Sequence, residues 1–292
     1  MTTKATPKFE LIQPALEHVA ELGRICFEAF KEFHDRHAFP RDLPEQEVAT
    51  HVIGMLVSRK DCYGTAARVD GRLAGSNFLL MSDPVGAVGP ITEDPALAGR
   101  GLGRALMQGV LDHARSIGMD QVRLMQDSFN TKSFSLYASL GFDAKEPVAM
   151  MDAKPAAAPD PSVRPATTAD LDCIDELSRR IYRCSRRGEV AGAMAAGFST
   201  FVREKSGRMT GYFMPGFLGH GVAETDTDAL ALIGEAARQA PPPFALFFCP
   251  LTSTDFFRAS LKAGHRLRKI MTLMTKGPYE RPQGIWMPSI GY

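Results

Sequence analysis

This 292-residue chain has a single tryptophan, only five cysteines and a formal net charge of +1. Each scarcity excludes something. A charge that small gives no global field to draw the chain onto nucleic acid or an anionic membrane, so partners are expected to be small or local. Cys26, Cys62, Cys173, Cys184 and Cys249 are odd in number, widely spaced and free of any C-x-x-C pair. That pattern argues against a disulfide framework and reads as buried thiols in a reducing compartment. No uninterrupted apolar run is long enough to span a bilayer, and the stretch MTTKATPKFELIQPALEHVAEL has no apolar core followed by a small-residue cleavage site. A cytoplasmic protein with neither a membrane nor a nucleic-acid partner is expected.

What the chain does have is apolar material for two cores: 45% of its residues are hydrophobic, over a length greater than one common domain. From Pro14 the apolar residues Leu16, Val19, Leu22, Ile25, Cys26, Phe30 and Phe33 recur at steps of three and four, which predicts a long helix. A shorter helix follows over Glu45–Leu56, then a hairpin turning on Asp70-Gly71. AVGPIT reads as a strand, Ala105–Ile117 as a helix closed by Gly118, QVRLMQ as a strand, Thr131–Leu140 as a helix capped by Gly141, and PVAMMD as a last strand. The order is α-α-β-β-β-α-β-α-β. Ala153–Ser162, AKPAAAPDPS, carries no periodicity and reads as a linker. Beyond it helix and strand signals retrace the first half, which suggests an internal duplication. The expected organisation is therefore α/β in two domains, 1–152 and 163–292, joined by 153–162.

One stretch is unusual. In DPALAGRGLGRALM, Gly99, Gly101 and Gly103 remove every Cβ from alternate positions of a loop that runs into a helix, with Arg100 and Arg104 beside them. Backbone N–H groups can then converge on an anion, and the helix start adds about half a positive charge. A phosphate cradle follows. It is not a Walker loop, because no Lys-Ser/Thr follows the last glycine, and it does not fit G-x-G-x-x-G; a flexible Gly/Arg loop before an ordinary helix is the bland alternative.

PITEDPALAGRGLGRALM resembles motif A of the GCN5-related N-acetyltransferases (GNAT), whose Q/R-x-x-G-x-G/A falls on Ala98–Gly103, with Ala98 where Gln or Arg is usual. NTKSFSLYASLGF resembles motif B, through Asn130, Ser133, Tyr137, Leu140, Gly141 and Phe142. The resemblance covers about 150 residues. It implies a mixed, mostly antiparallel sheet flanked by helices in each of two GNAT-like domains. It also implies acetyl-CoA as co-substrate and transfer to a primary amine, most simply of a small molecule; a protein N-acetyltransferase or a non-catalytic acyl-CoA sensor are the rivals. The backbone of Ile91, Thr92 and Glu93 is expected to pair with the pantetheine arm, and Gly99, Arg100, Gly101, Leu102, Gly103 and Arg104 to seat the pyrophosphate. Asn130, Ser133 and Tyr137 complete the cofactor set. Tyr137 is the implied acid for the leaving sulfur, against a plain packing role.

Glu93 is a candidate base, directly or through water, or a solvated strand end. Asp83, on the loop before that strand, is a second candidate for the base and an acceptor contact, although loop aspartates commonly serve turns. His34 and His37 lie three apart, but no Cys or carboxylate at ligand spacing accompanies them and the chemistry requires no metal, so none is expected. Phe33, His37 and Phe39 are instead candidate acceptor contacts, with core packing the alternative for the two phenylalanines.

The second half lacks this chemistry. Matching Gly264 to Gly141 puts Ser260 where Tyr137 stands, and Glu224, Asp226 and Asp228 replace the Gly/Arg loop, suiting a helix start and repelling phosphate. A degenerate domain that has lost the cofactor is expected. Arg179, Arg183 and Arg187 in SRRIYRCSRR read as one helical face, either solvated, docked on the acidic first half or meeting an anionic acceptor. The apolar end GIWMPSIGY is expected to pack on a domain or at a subunit contact, which leaves a homodimer open.

Overall fold

The computed structural model describes residues 9–97, 100–240 and 244–292. They fall into two compact units, one built from the segments up to Met81 and from Gly86 to Asp120, the other from Ser82–Val85 and Gln121–Tyr292.

The first unit opens with β1 (Phe9–Ile12), a four-residue strand absent from the expected order, which pairs antiparallel with β2 (Cys62–Val69). α1 (Val19–His37) follows a short 3₁₀ turn and ends at Ala38 in the left-handed region, φ 54°. α2 is Gln46–Ser58. β2 and β3 (Arg72–Leu80) form the expected hairpin on Asp70-Gly71, both with positive φ. The single strand expected over AVGPIT is two, β4 (Gly86–Val88) and β5 (Thr92–Glu93), both antiparallel to β3. The interruption falls at the cis Gly89-Pro90 bond, where proline has no N–H for the ladder. α3 (Leu102–Ser116) buries Leu102 and Leu106 against Ala67, Val69 and Ala74, with Ile91 and Leu97 packed beside them.

β5 comes so close to β3 that Gly75 has no room for a side chain: a Cβ there would lie 2.3 Å from the Thr92 carbonyl oxygen and 3.1 Å from Glu93 Cα. Gly75→Ala must push β5 off its register, and an expected cost of about 2 kcal/mol would appear as a lower Tm in a thermal melt. An unchanged Tm would mean β5 has slack.

The second unit contains an exchange of strands between the two halves of the chain. β6 (Val122–Asp127), α4 (Thr131–Ser139) and β7 (Asp143–Asp152) come from the first half; β12 (Leu246–Pro250), α8 (Thr254–Lys262) and β13 (Arg266–Lys276) come from the second. The order is β6-β13-β7-β12, all antiparallel. Each half thus lends its post-helix strand to the other's pre-helix strand. Ala153–Ser162, between β7 and β8 (Val163–Pro165), lies inside this unit, with the Ala153 and Ala156 amides donating to Ala245 and Gly234 carbonyls at 2.9 and 3.0 Å.

The rest of the second half forms a sheet in the order β14-β11-β10-β9-β8, from β9 (Phe201–Lys205), β10 (Arg208–Phe213), β11 (Gly221–Ala223) and β14 (Ile285–Met287). α5 (Leu171–Ile181), α6 (Arg187–Ala195) and α7 (Asp226–Gln239) complete it. The arginine-rich run is not one helical face. α5 stops at Ile181, Arg183 turns the chain at φ 67°, and Arg187 begins α6. The apolar end packs within its own unit: Trp286 is in β14 against β11, and Tyr292 is buried.

The cysteines correct one expectation. Cys26 and Cys249 are buried, and burial pushes both thiols up to about 12; Cys173, however, is exposed. No helix among the described residues is long and apolar enough to cross a membrane.

Candidate functional site

In the first unit the cradle is the start of α3. Gly101 is its N-cap with φ 86°, a left-handed conformation in which a side chain is strained, and no side chain caps the helix. A Cβ at Gly101 would meet nothing within 4 Å, so the space beside the loop is open. The first intrahelical bond runs from the Ala105 amide to the Gly101 carbonyl at 3.2 Å. The amides of Leu102, Gly103 and Arg104 precede it and point out of the helix start, as first-turn donors do. Arg100 and Arg104 are exposed, Leu102 and Gly103 buried; Leu102 can therefore offer only its backbone. Gly99 and Ala98 lie outside the described residues. The helix begins three residues before the expected Ala105, because the glycines serve as the cap and first turn rather than as a preceding loop.

β5 enters this loop. Asp94 donates its amide to the Ala74 carbonyl at 2.8 Å and accepts the Ala96 amide at 2.9 Å, fixing the turn. Opposite one another in the β3–β5 register are Ser76 and Thr92. The Ser76 Oγ, Thr92 Oγ1 and Glu93 Oε2 atoms are all buried without a hydrogen-bond partner. Such groups are uncommon in native proteins and mark positions that a ligand or water completes. Sequence reasoning singled out Thr92 and Glu93 but not Ser76, which no motif marks.

Also in this unit, His34 and His37 each turn a ring nitrogen back along α1, to the Phe30 and Phe33 carbonyl oxygens, both at 2.8 Å. His34 is buried and His37 exposed; the Phe33 ring lies against both, with centroids 5.3 and 4.8 Å apart. Phe39, half-buried, follows the left-handed Ala38 and donates its amide to the His34 carbonyl at 3.1 Å.

Motif B lies in the second unit. Asn130 caps α4, its Oδ1 accepting the Ser133 amide at 3.1 Å. Tyr137 is 5% exposed, its ring 6.2 Å from that of Phe142. The helix ends on Gly141, φ 89°, with Phe142 N–H donating to the Tyr137 carbonyl at 3.1 Å. α8 repeats this: Gly264 has φ 92°, and His265 N–H donates to the Ser260 carbonyl at 3.1 Å. Ser260 therefore occupies the position of Tyr137, and its hydroxyl is buried without a partner.

The start of α7 is closed to an anion. Thr225 caps it, accepting the Asp228 amide at 3.2 Å. Asp228, 2% exposed, pairs with Lys205 at 2.8 Å. Glu224 takes a two-pronged contact from Arg208, at 2.6 and 2.7 Å, which with Arg180 holds its carboxyl down to about 2. Asp83 also belongs to this unit. Its oxygens accept the Gly188 and Glu189 amides at 2.8 and 3.3 Å, so it caps α6. Burial nevertheless pushes its carboxyl upward.

A glycine-capped helix start in one segment and a tyrosine helix closed by a left-handed glycine in the next match a known sequence profile, that of the acetyltransferase (GNAT) family, over residues 19–142. This segment belongs to the GNAT family. A mycothiol acetyltransferase from Thermobispora bispora is 51% identical over 59 residues, 20% of each chain, so the match spans about a fifth of that relative. A putative acetyltransferase from Pyrococcus horikoshii superposes over 100% of this chain and 95% of its own, with a TM-score of 0.76 at 14% identity. A tandem GNAT protein from the clavulanic acid biosynthesis pathway covers 94% and 100%, with a TM-score of 0.56 at 14% identity. At such identities these two likenesses speak for the fold, which is the GNAT fold in tandem over the whole chain.

Proposed function

We propose that this chain transfers the acetyl group of acetyl-CoA to a primary amine of a small molecule by direct attack on the thioester. The observation that carries this is the start of α3, where an uncapped first turn behind a left-handed Gly101 opens onto free space. That is a seat for a pyrophosphate, held by the Gly101–Arg104 amides and screened by Arg100 and Arg104. The name of the mycothiol acetyltransferase relative supports acetyl transfer to a small molecule.

In the proposed reaction the amine lone pair attacks the thioester carbonyl carbon. Its proton goes to Glu93, whose Oε2 has no hydrogen-bond partner, directly or through a water. As the C–S bond breaks, the Tyr137 hydroxyl donates its proton to the departing sulfur. The second half contributes no such chemistry: Ser260 replaces the acid, and acidic side chains with Thr225 fill the place of the cradle.

Coenzyme A release, followed with acetyl-CoA and a mixed panel of small amines, tests this. Turnover is expected, falling at least about tenfold in Tyr137→Phe with acetyl-CoA affinity unchanged. If neither protein turns over while both bind acetyl-CoA equally, a wider acceptor screen separates a missed substrate from an acyl-CoA sensor; equal turnover in both would remove Tyr137 from the acid role.

A further inference from the structure

The second unit buries two arginines around one tyrosine. Arg123, on β6, is 1% exposed, and Arg186, beside α6, is fully buried. Both guanidinium groups lie over the Tyr292 ring, at 5.4 and 3.6 Å from its centroid. Arg123 also lies 5.1 Å from the Tyr279 ring, and Arg186 5.5 Å from that of Tyr182.

The two arginines differ in their partners. Arg186 donates to Glu189 Oε2 at 2.5 Å, to Ser289 Oγ at 3.3 Å and to the Tyr292 main-chain oxygen at 3.4 Å. For Arg123 neither Nε nor Nη1 has a hydrogen-bond partner; its polar neighbour is the Cys184 thiol. Arg186 Nε and the hydroxyls of Tyr182, Tyr279 and Tyr292 are likewise buried without partners. Stacking on aromatic rings offsets only part of the loss of water around a guanidinium. A buried cation with unused donors is costly enough that native proteins complete it with an anion.

We propose that Arg123, Arg186 and the three tyrosines form a binding site for a small organic carboxylate. Glu189 is the ion-pair partner of Arg186, one carboxylate for one guanidinium, and Asp83 is taken up by the α6 amides; the charge of Arg123 is left, which suits a monoanion rather than a phosphate dianion. Unpaired N–H and phenolic O–H groups supply the donors a carboxylate accepts from, and flat aromatic walls suit its plane. The carboxylate belongs either to the acetyl acceptor, an amine that also bears a carboxylate, or to a separate small ligand. The site itself does not depend on the transferase reading; only the first of these sources does.

Calorimetric titration of the intact chain with acetate, benzoate and inorganic phosphate tests it. Saturable binding of a carboxylate is expected, at least about tenfold tighter than phosphate, and at least tenfold weaker in Arg123→Met but unchanged in Arg208→Met. Arg123→Met should also melt no lower than the parent, since it removes a buried charge with unused donors for a side chain of similar reach. No saturable carboxylate binding, tighter phosphate binding, equal affinity in Arg123→Met, or a variant that unfolds would each overturn the proposal. With acetyl-CoA present, γ-aminobutyrate and its amide then separate the sources. If the acid turns over and the amide does not, and benzoate competes with it, the carboxylate is the acceptor's; binding with no effect on turnover assigns it to a separate ligand, with or without transferase activity.

Discussion

Replacing Lys269 by methionine is expected to lower the unfolding free energy by about 3–5 kcal/mol, the range for a buried ion pair deprived of one partner. Lys269 is on β13 and Asp127 at the end of β6, their charged atoms 2.8 Å apart and their side chains 0% and 7% exposed. Removing the ammonium leaves a carboxylate in a place water does not reach. The pair is less important than its integrity, because burying two charges already offsets most of their attraction. Lys269→Met combined with Asp127→Leu should therefore recover most of the loss. Urea midpoints of the parent, both single variants and the double variant give the cycle. Additive losses would show that the two groups act independently.

Gly101→Val is expected to weaken acetyl-CoA binding at least about a hundredfold, or about 2.7 kcal/mol. Two effects combine. A β-branched residue at φ 86° is strained by about 1–2 kcal/mol, so the first turn of α3 shifts, and its side chain fills the open space beside the amides. Gly118→Val separates strain from bulk. That residue closes the other end of the same helix at φ 72°, also with nothing within 4 Å of a Cβ. It should melt lower by a similar amount and bind acetyl-CoA as the parent does, measured by titration calorimetry. Equal weakening in both variants would trace the effect to helix stability and take the pyrophosphate seat away from Gly101.

Sequence carried what is local. The Asp70-Gly71 turn signal gave β2 and β3, the 3.6 period gave α1, and Gly141 and Gly264 marked two helix ends that prove to have the same left-handed geometry. It missed β1, four residues too short for a period to register, and α6, whose RGEVAGAMA has no apolar face. The partners of β7 and β13 were not legible, since alternation says which face of a strand is buried and nothing about its neighbour. Arg123 and Arg186 were also beyond reach. A pattern treats arginine as a surface residue, and only three-dimensional placement shows one that is dry and short of acceptors. Asp83 was readable in outline: a loop aspartate suggested a turn, yet the amides it caps are more than a hundred residues away.

The exchange of β7 and β13 ties the fate of one half of the chain to that of the other. Each half needs the other's strand to finish its sheet, so neither is structurally dispensable to the other. A gene that lost the second half would encode a sheet with a missing middle, since β13 lies between β6 and β7. Such an exchange acts as a ratchet: once each half completes the other's sheet, neither can be discarded.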